Sequence, residues 1–405
     1  MKKLSLILLL LLIVIPNIAA DVSKDISVKE NFSNLLKKTA RMIGTLDIKK
    51  SGTPAFSKQK KRIIRHLKRV VSKSNCEDQK KYLKNVIKHF RENNYRSGFD
   101  CPFSTKTKAD MILNFNEKSR NFSPVVLKTS VIGTLSICKL FDKIKIEIGK
   151  GILNRNVEFF PVSSVVKISE VIFPANFKSR SIILSLNNKK NDIFPGIILI
   201  KNNVEKYFND SLKPLAQKLF RQKIASGLDP EILIHNMFLH HIAHFTIPFQ
   251  IEVKDKKSGV KGLGLKELFL YVEEIRADLN YLSIVAEMDK REILDKGAKE
   301  KIFYTFLLQK VYKTLTPYGK DLGSPSSVLF NLLFKRGGIR MEKGRMKMVI
   351  DMDLLIRNIK ALEAKFNSFL IKGKYNECKA FLLQYKKMPD NVKDFFMKIK
   401  LWESE

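Results

Sequence analysis

The sequence predicts an α+β protein of two lobes, a β-containing lobe followed by a mainly helical lobe, with a basic helical region ahead of both. Three observations carry this. Short β-branched and aromatic runs separated by Asn, Gly, Pro and Lys fill the stretch from about Lys108 to Ile200, the pattern of strands and turns. Apolar residues at three- and four-residue spacing dominate from Val204 onward and again between Val28 and Asn94, the period of amphipathic helices. With 405 residues, 44% of them hydrophobic, the chain is long enough for more than one small domain and apolar enough to bury a sizeable core.

The first twenty residues read as a signal peptide: Lys2 and Lys3, an apolar run from Leu4 to Ile15, then small residues ending at Ala20. The run is about 12 residues, short of the ~20 that span a bilayer. Cleavage near Ala20 would deliver a periplasmic or secreted protein; an uncleaved segment would leave it membrane-anchored. The expected divisions are then residues 1–20 as signal, 21–105 as a basic helical region, 106–203 as the β-rich lobe and 204–405 as a helical lobe.

In the basic region Leu35, Leu36, Ile43, Ile63, Ile64, Leu67, Val70 and Val71 alternate with Lys clusters. This reads either as a solvated amphipathic face or as a surface drawn to an anionic envelope. The formal charge of the chain is +35, from 75 Lys and Arg against 40 Asp and Glu, and 59 of the cations are Lys. That balance excludes an acidic solvating protein. Arg is the residue expected where phosphates or bases are read, and with no recognisable nucleic-acid module the sequence points to no specific nucleic-acid partner. Of the four cysteines, Cys76 and Cys101 could pair across a region expected to build little core of its own, or all of Cys76, Cys101, Cys138 and Cys378 could be isolated thiols. No Cys-x-x-Cys occurs, which excludes thiolate zinc and thioredoxin-like chemistry on spacing.

Strands are expected at Val125–Leu127, Ile144–Ile148, Val157–Phe160, Val165–Ile168, Ser181–Leu186 and Ile197–Ile200. Helices are expected at Val204–Ser226, Pro230–Thr246, Leu265–Met288, Ala298–Lys313, Ser326–Lys335, Asp353–Lys372, Tyr375–Tyr385 and Val392–Trp402.

Chemistry concentrates in two of these helices. Four of the six histidines, His235, His240, His241 and His244, fall within ten residues. Asp229-Pro230-Glu231 is a helix start, with an N-cap followed by Pro at the first helical position. His240 and His244 then lie one turn apart on one face, the spacing by which a helix offers two imidazoles to a metal ion, while His235 points away. Two imidazoles need a third protein ligand for zinc. After a Lys/Gly loop, Lys254 to Gly264, the next helix carries Glu274 and Asp278 four residues apart. One of these can ligate the metal while the other accepts a ring N–H and fixes a histidine tautomer.

The segment Phe238-Leu239-His240-His241-Ile242-Ala243-His244, followed by Glu273-Glu274-Ile275-Arg276-Ala277-Asp278-Leu279, resembles the paired zinc motifs of the dipeptidyl-peptidase III family of metallopeptidases. Its bacterial branch has a five-residue H-E-x-x-H and a second motif E-E-x-[RK]-A-[DE]. Further segments are similar in order and spacing: Ser185-Leu186-Asn187-Asn188, Leu212-Lys213-Pro214-Leu215-Ala216, Tyr304-Thr305-Phe306-Leu307 and Phe330-Asn331-Leu332-Leu333 with Gly337-Gly338-Ile339. The resemblance spans roughly residues 150 to 395. It implies a zinc cofactor held by His240, His244 and Glu274, with Glu273 and Asp278 supporting, and a peptide or extended polypeptide in a cleft.

Besides an altered Asn-Leu-Pro-Asn stretch, which reads Ser185-Leu186-Asn187-Asn188, two departures bear on activity. The Glu that takes a proton from the attacking water is replaced by His241, and a helper His after the second motif corresponds to Tyr318. These altered catalytic positions leave three readings. The first is an exported, zinc-binding, peptidase-like protein with impaired hydrolysis. The second is a working metallopeptidase with a substitute base. The third is a basic envelope-associated structural protein whose metal only staples two helices.

Overall fold

A computed structural model describes residues 32–93, 109–116, 121–129, 166–174, 179–187, 193–245, 264–315, 324–342 and 347–398. The described residues are mainly helical. They divide into two compact units, one holding those up to Thr129 together with Val166–Ile200, the other those from Lys201 onward. No described helix is long and apolar enough to cross a membrane. The amino-terminal segment, the expected strands Ile144–Ile148 and Val157–Phe160, Cys101, Cys138 and Tyr318 lie outside the described residues.

The first unit opens with helix α1 (32–44), α2 (Pro54–Lys73) and α3 (Glu77–Glu92). Thr53 caps α2 by accepting from Phe56 N–H, with Pro at the first position, where its missing N–H costs nothing. Asn93 ends α3 in the left-handed region at φ 54°, which Asn tolerates. These helices build a core of their own, contrary to the expectation for this region. Leu36, Ile43, Phe56, Ile63, Leu67, Val70, Leu83, Val86 and Phe90 pack together with Val126 of the sheet. The basic helices and the sheet share one unit.

The sheet has five strands: β1 (Ala109–Asn116), β2 (Asn121–Thr129), β3 (Val166–Phe173), β4 (Ser181–Asn187) and β5 (Ile193–Ile200), in the order β1-β2-β3-β5-β4. All neighbours are antiparallel except β3 and β5. β1 was not expected from the sequence; the expected strands at Val125, Val165, Ser181 and Ile197 fall in β2, β3, β4 and β5. A register shift between Val126 and Leu127 interrupts the β2–β3 ladder.

In the second unit the helix expected at Val204–Ser226 is broken. It runs as α4 (Lys201–Tyr207), a π-helical turn (Phe208–Leu212) and α5 (Lys213–Leu219). The chain then extends at the buried Phe220 before α6 (Gln222–Ala225). A two-stranded ribbon, β6 (Ile339–Glu342) and β7 (Lys347–Ile350), explains the break. Lys347 donates to the carbonyls of Gln217 and Lys218 at 2.8 and 3.0 Å, capping the end of α5. Arg221 donates to both oxygens of Glu342 at 2.9 Å.

The remaining helices are α7 (Pro230–Phe245), α8 (Phe269–Lys290), α9 (Ala298–Leu315), α10 (Pro325–Lys335), α11 (Met352–Lys372), α12 (Tyr375–Gln384) and α13 (Asp390–Lys398). Helix α8 is central, in contact with α7, α9, α10 and α11, and is buried on nearly every side from Val272 to Met288. That burial extends to Glu273, Arg276, Asp278, Asn280 and Ser283. Charged groups in such a place need partners, and the partners define the site.

Entry into α8 is fixed by backbone contact. Gly264 has φ +73°, and a Cβ there would lie 2.7 Å from the carbonyl oxygen of Gly373, itself the left-handed C-cap of α11. Gly52 also has positive φ, +99°, but no atom would lie within 4 Å of its Cβ. Ala at either position should carry the left-handed penalty of about 1–2 kcal/mol. Gly264→Ala adds an overpacking cost of about 1–3 kcal/mol. Urea unfolding should therefore show Gly264→Ala as clearly the less stable of the two, and equal losses would contradict the close approach.

Candidate metal centre

Helix α7 starts where the sequence predicts. The Asp229 side chain accepts from Ile232 N–H at 3.0 Å, with Pro230 at the first position. Buried Asn236 donates to the Ile302 carbonyl at 3.0 Å, which pins α7 against α9 and fixes its rotation. One turn later His240 and His244 emerge on a common face toward α8.

There the two imidazoles meet. His240 Nε2 and His244 Nε2 are 3.2 Å apart, and the Glu274 carboxylate lies 3.4 Å from the first and 3.5 Å from the second. The opposite ring nitrogens are engaged. His240 Nδ1 is 2.9 Å from Asp278 Oδ1, and His244 Nδ1 is 3.1 Å from Glu273 Oε1. A carboxylate only accepts, so each Nδ1 carries its hydrogen, and a ring in its neutral form turns a lone pair at Nε2 toward the other. Two lone pairs and a carboxylate at this separation are satisfied only by a cation among them, a proton or a metal ion.

His241 joins the cluster. His240, His241 and His244 each offer a ring nitrogen within 4.8 Å of the others, a group that could hold a metal ion. The helical wheel did not indicate this, because adjacent residues point about 100° apart and only side-chain reach brings His241 back. Burial first, then the neighbouring His240 and His244, push its pKa down to about 3. A ring held that low is neutral at pH 7 and takes up a proton poorly.

The orienting carboxylates are held in turn by buried cations. Asp278 accepts from Lys310 of α9 as well as from His240. Glu273 accepts from Arg276 at 2.5 and 2.7 Å, and Arg276 also donates to the Ala243 carbonyl at 2.7 Å. Burial alone would raise the Asp278 carboxyl, but the Lys310 charge and His240 outweigh it and hold it well below the usual range. Glu273 is shifted down likewise, burial being overcome by its bonds to Arg276 and His244. For Glu274 burial is outweighed by His240 and His244, leaving it at about 2. Burial also works against a charged His240, yet Asp278 and Glu274 raise its pKa.

Of the residues singled out in the sequence, His240, His241, His244, Glu273, Glu274 and Asp278 come together. His235 lies on another face with its Nε2 buried and unpartnered. Lys310 and the role of Arg276 were missed. The available signal for Lys310 was a cation on the helical face of Phe303, Phe306 and Leu307. The donor set fits zinc: tetrahedral ligands at 2.0–2.1 Å stand about 3.3 Å from one another, close to the 3.2, 3.4 and 3.5 Å found here. The Glu274 side chain is 50% exposed, so the cluster opens to solvent on that side.

No family model matches the chain, and neither does any curated protein. Solved structures do. Dipeptidyl-peptidase III from Caldithrix abyssi superposes with a TM-score of 0.70 at 17% identity, over 86% of this chain and 70% of that one. Dipeptidyl-peptidase III from Corallococcus sp. strain EGB gives 0.63 at 14% identity, over 85% and 67%. At these identities the likeness is one of fold. The chain has a dipeptidyl-peptidase III-like fold, and within it a histidine cluster able to hold a metal ion.

Proposed function

We propose that this is a zinc-binding, peptidase-like protein that holds an extended peptide at its metal centre and hydrolyses it poorly. The observation that carries the reading is the convergence of His240 Nε2, His244 Nε2 and one carboxylate within 3.5 Å of one another. These three are the ligands, and Glu274 is preferred to His241 because its spacing to both rings matches a tetrahedral edge. Asp278 and Glu273 hold the two rings in the tautomer that presents Nε2. A zinc ion in such a set supplies Lewis acidity toward water and a carbonyl oxygen. The exposed Glu274 side supports entry of a peptide there.

The hydrolytic step needs a general base. His241 occupies the position of that base in the resembling family, and an imidazole there lacks the carboxylate that accepts a proton from water. Tyr318, in the place of a helper histidine, could donate a hydrogen bond but carries no positive charge. Loss of the base forfeits about 10²–10⁴-fold in rate. The layout of residues 1–20 supports a periplasmic or extracellular setting.

Purified under zinc-replete, chelator-free conditions, the protein should carry about one zinc per chain. His240→Ala and Glu274→Ala should carry little, whereas equal zinc in all three would contradict the ligand set. A peptide-release assay addresses catalysis. Wild type should be close to inert and His241→Glu should gain activity by about 10²-fold or more. Robust wild-type cleavage abolished by His241→Ala would instead establish a working metallopeptidase. A third test concerns Lys310: Lys310→Met, or Lys310→Met combined with Asp278→Asn, should weaken zinc about 10–100-fold in competition with a chromophoric chelator. Lys310→Arg should recover part of that loss, and unchanged affinity in Lys310→Met would remove Lys310 from the account.

A further inference from the structure

The charge of this protein is not spread evenly. Residues 32–93 hold 18 Lys and Arg against four Asp and Glu, or +14 in 62 residues; the other 343 hold 57 against 36, or +21. A Lys-rich composition alone does not produce a nearly fourfold difference in charge density. The structure shows how the cations are arranged. On α2, Lys58, Lys61, Arg62, Arg65, Lys68 and Arg69 recur at three- and four-residue steps and are all exposed, while Phe56, Ile63, Leu67 and Val70 fill the opposite, buried face. Helix α2 contains no Asp or Glu. On α3, Lys81, Lys84, Lys88 and Arg91 form a second exposed stripe over Leu83, Val86, Ile87 and Phe90.

Like charges at these spacings work against a helix, and the field reaches inward. Burial and then Lys38, Arg69, Arg62 and Arg65 lower the pKa of His66 beneath the stripe. Lys58 and Arg69 are 11 residues apart on α2, so the stripe runs for roughly 17 Å. A partner presenting many negative charges over that length would relieve the repulsion.

We propose that the exposed basic stripe of α2 docks on an anionic phospholipid surface. Three features favour lipid headgroups over nucleic acid. Thirteen of the 18 cations are Lys, point charges suited to diffuse headgroup charge rather than forks that read phosphates and bases. None of the exposed large hydrophobic side chains of the described residues, Leu270, Ile371, Leu383 and Met397, lies on these helices, so the face offers no aromatic platform for bases. The amino-terminal segment, Lys2 to Ala20, has the layout of a signal peptide, which would bring the chain to a membrane. Docking here is electrostatic, without insertion, and independent of the metal centre in the other unit.

The test is co-sedimentation of the full protein with vesicles of phosphatidylglycerol mixed into phosphatidylcholine, against phosphatidylcholine alone. Binding should require the anionic lipid, fall steeply as salt rises, and survive chelation. Removing three stripe charges together, Lys61→Gln, Arg65→Gln and Lys68→Gln, should weaken it on the order of 100-fold. Removing three exposed charges elsewhere, Lys372→Gln, Lys386→Gln and Lys387→Gln, should change it only severalfold. Unchanged zinc content and a melting temperature no lower than wild type in both triple variants report that the fold is intact. Equal losses in the two variants would reduce the effect to net charge and overturn the proposal. So would salt-insensitive binding, no binding, or tighter stripe-dependent binding to double-stranded DNA at the same salt.

Discussion

Two imidazole nitrogens facing each other at 3.2 Å are the constraint around which the helical unit is arranged. Their lone pairs repel unless a cation lies between them, yet both rings are held from behind by carboxylates that fix the Nδ1 hydrogens. Those carboxylates sit on the most buried helix of the unit and are bound in turn by Arg276 and Lys310. Each layer makes sense only through the one inside it. Without the rings, Asp278 and Glu273 would be buried carboxylates with part of their hydrogen bonding lost; without the carboxylates, Lys310 and Arg276 would be buried cations with no counter-charge.

Such an arrangement is a poor way to gain stability. Replacing buried ion pairs with apolar groups of similar volume is often neutral or favourable, whereas breaking one pair costs about 3–5 kcal/mol. Its presence on a central helix whose other buried residues are largely apolar points to a need for position rather than for stability. Asn236 and the Gly264–Gly373 contact serve the same end with backbone partners, fixing α7 against α9 and the entry to α8 against α11.

Much of this could be read in the sequence. Asp229-Pro230 marks the start of α7, the four-residue step from His240 to His244 puts both on one face, and Glu274 and Asp278 repeat that step on the next helix. Local rules suffice for each, since capping and helical periodicity act within a few residues. What was not legible depends on tertiary structure. Lys310 meets Asp278 across 32 residues, and His241 reaches the cluster through its side chain. The break after α5 follows from a ribbon whose strands are only four residues long. Likewise the amphipathic pattern of the basic helices names no apolar partner, and they find one partly in Val126 of a later strand.

The chemistry proposed for the cluster separates metal retention from hydrolysis: His240, His244 and Glu274 converge, while the adjacent position holds an imidazole, His241. X-ray absorption at the zinc edge on the loaded wild-type protein tests the core of this most directly. The account predicts two imidazole nitrogens and at least one carboxylate oxygen at about 2.0–2.1 Å. Three imidazoles in the shell would put His241 rather than Glu274 on the metal, and a shell without imidazole would contradict the centre altogether.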